Sequence, residues 1–180
     1  MGRTHFTLYQ FPLPIDNFIV ELPLTHGLVS QINAVDADLG AFNWHSKPRR
    51  ASHVAARTVK AGGKSKTILL HRMILGRKLG RELLDAEECD HADLNPLNNT
   101  RDNLRLADAT QNNYNKIPMP NQHGFAGVHF HKGNKKRPWQ AVLWHKRKCI
   151  SLGYFATPEE AYEAYCNKLS EIAGEFARFL

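Results

Sequence analysis

The sequence has 180 residues and a net charge of +7 at neutral pH, with 42% hydrophobic and 23% charged residues. This length accommodates one ordinary domain or two small ones, and the composition is that of a folded protein. No apolar run reaches the roughly 18 residues of a membrane span, and the first residues lack the apolar core of a secretory signal. Cys89, Cys149 and Cys166 form no Cys-x-x-Cys pair, which indicates a reducing compartment and argues against a zinc ribbon. We therefore expect a cytoplasmic protein.

Charge is distributed unevenly along the chain. Residues 45–81 contain eleven Lys or Arg and no acid, and residues 121–156 contain seven and again no acid. Between them, residues 82–108 carry eight acids against two arginines. Two basic blocks around an acidic one indicate nucleic-acid-binding surfaces on either side of a metal site. The alternative is a basic surface that is merely solvated.

Short apolar runs rich in β-branched residues predict strands in the first part of the chain. The last two of these runs flank Gly62-Gly63, which predicts a hairpin with the glycine pair as its turn. The segment 71–79 is ambiguous and would fit a short helix. The predicted strands are 18–22, 26–32, 53–60 and 64–70.

The central segment, 88–113, is predicted to form a strand, a long loop, a second strand and a helix. Residues 95–99 are polar and turn-forming. Asp108 is a good N-cap for the helix, which would carry Asn112. This arrangement would bring Asp90 and His91 close to Asn112.

The C-terminal part follows a break at 117–122, where two prolines interrupt the pattern. Thr157, Pro158 and Glu160 form an N-cap, a first helical position and a capping box. Three strands packed on one amphipathic helix would make a small α+β domain. The strands are predicted at 127–130, 139–144 and 149–152, and the whole chain divides into 1–54, 55–117, a linker at 118–123, and 124–180.

The residues of the central segment fit the hydrolysis of a phosphodiester. A neutral imidazole such as His91 can take a proton from water near pH 7. The carboxylate of Asp90 and the amide oxygen of Asn112 are hard ligands suited to one Mg²⁺ or Mn²⁺ ion. Because adjacent strand residues point to opposite faces, Asp90 and His91 can act together only if the strand bends locally.

In order along the chain, these residues resemble the HNH nuclease motif of phage and intron-encoded homing endonucleases. The resemblance implies a ββα-metal fold in which His91 is the general base and Asp90 and Asn112 hold the metal. Asn99 would orient the loop and the base, and His71 would lie near the phosphate or support the site. Family members usually carry glycine in the turn that residues 92–96 form here. The motif consists of His71-Arg72, Asp90-His91, Asn98-Asn99, Asn103-Leu104-Arg105 and Gln111-Asn112.

Residues 124–180 resemble the plant ethylene-response-factor (Apetala-type) DNA-binding domain, through Gly127-Val128, 139–142, 152–155 and 157–161. This implies a three-stranded sheet in the DNA major groove, backed by the helix. Strand alternation would turn Trp139, Ala141 and Leu143 toward that helix. The family usually has arginine where Val142 and Trp144 stand, which favours readout of shape or phosphates. The expected DNA contacts are His129, His131, Arg137, Gln140, Trp144, Lys146, Arg147 and Lys148.

The sequence therefore predicts an α+β protein with a strand-rich N-terminal part, an HNH nuclease core and a DNA-binding C-terminal module. Its function would be that of a site-specific endonuclease or nickase acting as a monomer on double-stranded DNA. Such an enzyme would be phage- or intron-encoded and would work in the cytoplasm of a bacterial host. The alternative is a DNA-binding regulator that kept the nuclease scaffold without its activity. An RNA-directed protein is a third possibility.

Overall fold

The structure is a computed structural model that describes residues 18–49 and 52–180. It mixes helices with several small antiparallel sheets, which confirms the predicted α+β class. The chain forms two compact units. The first comprises the described residues up to 74 together with 96–103, and the second comprises 75–95 with 104–180. The four-part division of the chain stays a prediction.

The elements of the chain follow the predicted order, with one additional strand and several 3-10 turns. No helix of the described ranges is long and apolar enough to cross a membrane. The strands are β1 (Ile19–Pro23), β2 (Val29–Asn33), β3 (His45–Arg49), β4 (Ser52–Ala61), β5 (Lys64–Leu69), β6 (Glu88–His91), β7 (Leu104–Ala107), β8 (Val128–Phe130), β9 (Trp139–His145) and β10 (Lys148–Phe155). The helices are α1 (Leu70–Leu79), α2 (Ala109–Tyr114) and α3 (Pro158–Ala173).

In the first unit, β1 and β2 form a hairpin and β3, β4 and β5 form a three-stranded sheet. The prediction that the second strand starts at His26 is wrong, because His26 adopts a left-handed φ of 62° inside a 3-10 turn. The sequence also did not predict β3, which contains Pro48. Proline is tolerated there because β3 is an edge strand and needs fewer ladder donors.

In the second unit, β6 and β7 pair antiparallel, and α2 follows β7 directly. Asp108 caps α2 in a capping box with Gln111, which confirms the predicted N-cap. The sheet β10-β9-β8 packs on α3, which Thr157 and Glu160 cap as predicted.

Within the second unit, one hydrophobic core connects β7 and α2 to the C-terminal sheet and α3. Ala107 of β7 is buried together with Leu143 of β9 and Leu169 of α3, and Tyr114 of α2 packs against this cluster. A second cluster around Val128, Ala141 and Ala161 fills the space between the sheet and α3. As a result, β7 and α2 share buried surface with the C-terminal sheet and its helix.

Candidate active site

Asp90 lies in the middle of the β6–β7 ladder, directly opposite Arg105 in the register. Its side chain is buried, and its Oδ2 accepts a hydrogen bond from Arg105 Nε at 2.7 Å. The guanidinium group also lies over the ring of Phe176, with its central carbon 4.0 Å from the ring centroid. The carboxylate is therefore held in a fixed orientation by a charge-assisted bond from the neighbouring strand.

Asn115, the C-cap of α2, holds the other oxygen of the same carboxylate. Its Nδ2 donates to Asp90 Oδ1 at 2.8 Å and to the carbonyl of His91, also at 2.8 Å. Asn115 is fully buried. A single amide thus connects the end of α2 to both residues of the Asp90-His91 pair.

Asn112 lies one helical turn before Asn115 and contacts the same strand. Its Nδ2 donates to Glu88 Oε2, and Glu88 lies two residues before Asp90, on the same face of β6. Residues three apart on a helix are neighbours on its surface, so α2 covers this face with two amides. Asn112 Nδ2 is engaged by Glu88, so the side-chain oxygen is the atom that the predicted metal-binding role of Asn112 would use.

His91 is the last residue of β6, and its side chain is half-buried. The pairing of the ladder is regular through His91 and Leu104, and the local bend expected between Asp90 and His91 stays a prediction. The chain turns immediately afterwards, where the Leu94 N–H donates to the His91 carbonyl at 3.0 Å. Leu94 takes a left-handed φ of 65°, the conformation that glycine would adopt most easily.

Asn99 and His71, the two other predicted catalytic residues, belong to the first unit. Asn99 is fully buried, and its Nδ2 donates to Ser30 Oγ at 2.7 Å. Its backbone N–H donates to the Gln31 carbonyl at 2.8 Å, and Gln31 N–H donates to Leu97 O at 2.9 Å. These bonds fix the loop 96–103 along β2.

A buried ion pair fastens the same loop within the first unit. Asp36 accepts two bonds from Arg101, at 2.8 Å to Nε and 3.0 Å to Nη2. Asn33 Oδ1 accepts the backbone N–H of Arg101 at 2.6 Å. His71 lies in the first turn of α1 and is buried.

The donor atoms around Asp90 are compatible with a small hard cation. A carboxylate has about four lone-pair positions, and Arg105 and Asn115 use one on each oxygen. The oxygen of Asn112 adds a second hard donor. Over residues 18–49 and 52–180, no three His, Cys, Asp or Glu side chains are grouped as metal ligands. Two protein oxygens completed by water and phosphate fit Mg²⁺ or Mn²⁺.

The predicted DNA contacts of the C-terminal module lie mostly on its exposed surface. His129, His131, Arg137 and Lys148 are exposed, and Trp144 is 64% exposed. Gln140 is half-buried, and its Nε2 donates to Ser151 Oγ at 3.1 Å. Lys146 and Arg147 form the two-residue turn between β9 and β10, with φ values of 47° and 65°.

The hairpin of β4 and β5 is a further basic surface, within the first unit. Lys60, Lys64 and Lys66 are exposed near its tip, which turns at Gly62-Gly63 with φ values of 56° and 75°. The sequence predicted this hairpin, and the run without acids over residues 45–81 indicated a nucleic-acid-binding surface in this part of the chain. No single residue of the hairpin was named as a DNA contact.

Arg105 and Asn115 were not assigned to the site from the sequence. In the sequence, Arg105 is part of the Asn-Leu-Arg motif, and the strand–loop–strand prediction carried no register that would pair it with Asp90. Asn115 lies outside the quoted motif, and its role depends on how α2 docks on β6. We found both from the side-chain contacts.

Comparison with known proteins places the chain among viral relatives. It is 34% identical over 91 residues to Protein 3.8 of Escherichia phage T7. The aligned residues make up 50% of this chain and 73% of the phage protein. The chain belongs to the family of this phage protein. A second relative, from Acanthamoeba polyphaga mimivirus, is named an uncharacterized HNH endonuclease. It is 33% identical over 108 residues, 60% of this chain and 54% of the relative.

The chain therefore spans about half the length of the mimivirus relative. No family model and no solved structure matches the chain.

Proposed function

We propose that the chain is a metal-dependent DNA endonuclease or nickase of the HNH type, with a phage-type homing enzyme as its closest functional class. The observation that carries this proposal is the fixed carboxylate of Asp90, held by Arg105 and Asn115 beside Asn112 on the same helix. The name of the mimivirus relative supports it independently. In the resemblance to HNH nucleases, Asp90 and Asn112 are the metal ligands.

His91 would act as the general base. His91 is the last residue of β6, and Asp90 and His91 lie on opposite faces of this strand. A phosphate at the end of the strand could therefore be reached by both side chains. The carbonyl of His91 is fixed by Asn115 and by the following turn, which holds the backbone from which its side chain projects. Asn99 would hold the loop, and His71 would support the site or lie near the phosphate.

Asp90 and Asn112 would hold one Mg²⁺ or Mn²⁺ ion, which supplies a Lewis acid for the charge that develops on the phosphate. The Arg105 cation already compensates part of the charge of Asp90. An ion at this position would therefore take much of its remaining coordination from water and from the DNA itself. Duplex DNA would be held by the basic β9–β10 turn.

The experiment that tests the proposal is cleavage of supercoiled plasmid with Mg²⁺ or Mn²⁺, with strand-specific mapping of the products. Wild-type protein should nick or cut, and His91→Ala should lower the rate by about 100-fold or more, the usual contribution of a general base. DNA affinity should stay within a few-fold. His53→Ala, which removes an exposed histidine of β4, is the matched control and should leave both quantities unchanged.

The alternative is a DNA-binding regulator on the same scaffold. The ion pair between Asp90 and Arg105 favours this alternative, because such a pair can also serve a purely structural role. The two functions differ in one result. Wild-type protein that binds DNA but never cleaves it with either metal, at any enzyme concentration, would establish the regulator and exclude the nuclease.

A further inference from the structure

The segment that follows α3 returns to the strand and helix that carry the candidate site. It begins with a 3-10 turn, Gly174–Phe176, and Phe176 is buried in the core cluster that includes Ala107 of β7. Arg178 follows two residues later and is half-buried. Residues 174–178 thus leave the C-terminal helix and lie against β7.

Arg178 binds the two polar groups that flank the Asp90-His91 pair. Its Nε donates to Asn115 Oδ1 at 2.9 Å, and its Nη2 donates to the carbonyl of Ala92. Asn115 in turn donates its Nδ2 to Asp90 Oδ1. Arg178 therefore connects to the carboxylate through one intervening amide.

The orientation of that amide depends on Arg178. The oxygen and nitrogen of an asparagine side chain occupy opposite ends of a planar group, and only the nitrogen can donate to a carboxylate. When Arg178 holds the oxygen, the nitrogen of Asn115 faces Asp90 and the carbonyl of His91. A flipped amide would place an oxygen against the carboxylate and lose both bonds.

The same segment also holds the second partner of Asp90. Arg105 Nη1 donates to the Glu175 carbonyl at 2.8 Å and to Glu175 Oε2 at 3.2 Å. Its guanidinium lies over Phe176. Each of the two groups that bind the Asp90 carboxylate is therefore fastened by residues 174–178.

We propose that residues 174–178 form a positioning element of the nuclease site, in which Arg178 acts through Asn115 on Asp90 and His91. The proposal rests on the nuclease function proposed above. It assigns the C-terminal module a part in catalysis as well as in DNA binding. The cleavage activity would then depend on Arg178 even on DNA that is bound at full affinity.

The test compares full-length variants under single-turnover conditions, with protein in excess and DNA saturated. Arg178→Ala should lower the cleavage rate by about 10- to 100-fold, as does the loss of groups that orient metal ligands. Its Kd for DNA should stay within about twofold, because no charge of the β9–β10 turn is changed. Lys168→Ala is the matched control: it removes a cation of α3 that pairs with Glu171 and should change neither quantity.

A double-mutant cycle identifies the route through Asn115. If Arg178 acts on Asp90 through this amide, Asn115→Ala and Arg178→Ala should have effects on the rate that do not multiply in the double variant. Effects that multiply would overturn the route. Thermal midpoints are measured alongside, and rates are compared at a temperature at which every variant is folded.

The outcomes separate this inference from the proposed function. Wild-type protein that does not cleave at all refutes the nuclease. Wild-type protein that cleaves while folded Arg178→Ala cleaves within twofold of it overturns the positioning role alone. If Arg178→Ala does not fold, Arg178→Met keeps most of the apolar stem and removes both donors, and it is judged by the same two results.

Discussion

The turn between β9 and β10 combines backbone strain with positive charge, which allows stability and DNA binding to be changed in opposite directions. Lys146 and Arg147 both have left-handed φ values, 47° and 65°. A two-residue hairpin turn of this kind normally contains Asn-Gly, because these residues tolerate positive φ. The double substitution Lys146→Asn with Arg147→Gly should therefore stabilise the protein and weaken its binding to DNA.

The magnitudes follow from the backbone and from the charge. A left-handed conformation costs an ordinary residue about 1–2 kcal/mol, and the greater flexibility of glycine in the unfolded chain costs about 0.5–1 kcal/mol. The change at Arg147 should therefore stabilise the protein by about 0.5–1 kcal/mol, and Asn at position 146 should add a few tenths, for a total of about 1 kcal/mol in the free energy of unfolding. If Lys146 and Arg147 contact phosphates as proposed, their loss should reduce the slope of log K against log salt concentration by about 2.

The assays are urea denaturation for stability and DNA titration at several salt concentrations for binding. The matched variant is Lys146→Gln with Arg147→Gln, which removes the same two charges and keeps the unfavourable φ values. This variant should show the same loss of salt dependence as the Asn-Gly variant, without the gain in stability. Comparison of the two separates the charge from the strain.

Each half of the reasoning has its own refutation. An Asn-Gly variant that is no more stable than wild type would show that the turn is not strained. A salt slope that is unchanged in both variants would remove Lys146 and Arg147 from the DNA interface. A gain in stability accompanied by unchanged binding would leave the fold as described and move DNA recognition to other residues.

Two further predictions concern the C-terminal module. Gly127→Ala should lower the free energy of unfolding, measured by urea titration, by about 2–4 kcal/mol, because φ is +70° and the new Cβ would lie 2.4 Å from the Tyr165 ring. The control Gly133→Ala, whose new Cβ would have nothing within 4 Å, should change it by less than about 0.5 kcal/mol, and equal losses in the two variants would contradict the packing. Burial raises the pKa of the Cys166 thiol, whereas Cys149 is exposed. Iodoacetamide at about pH 8 should therefore label Cys149 before Cys166, as followed by peptide mass mapping, and the reverse order would contradict this assignment.

The local elements could be predicted from the sequence because their signals are local. The capping residues Asp108 and Thr157 begin α2 and α3 as predicted, and Gly62-Gly63 form the predicted turn. Each of these features depends on residues within about four positions of one another. The same reasoning missed β3, since Pro48 is unfavourable in a strand unless that strand lies at a sheet edge.

The environment of the candidate site could not be predicted in the same way. Arg105 is 15 residues from Asp90 and lies on the strand that follows, but the register that pairs the two comes only from the structure. Arg178, however, is 63 residues from Asn115 and 86 from Ala92. No periodicity or spacing in the sequence relates positions so far apart, because their contact depends on how the C-terminal module packs on β7 and α2.

The placement of Arg105 has a consequence for the order of events at the proposed nuclease site. Asp90 is buried next to a cation, so its charge is largely compensated before any metal arrives. Removing one member of a buried ion pair destabilises a protein because the remaining charge is left without a partner. Arg105 thus offsets the desolvation cost of the buried Asp90 carboxylate in the free protein, and it also weakens the attraction of that carboxylate for a second cation. If Asp90 holds the metal as proposed, the negative charge of bound DNA phosphates would offset Arg105, and Mg²⁺ or Mn²⁺ should bind more tightly to the protein–DNA complex than to the free protein.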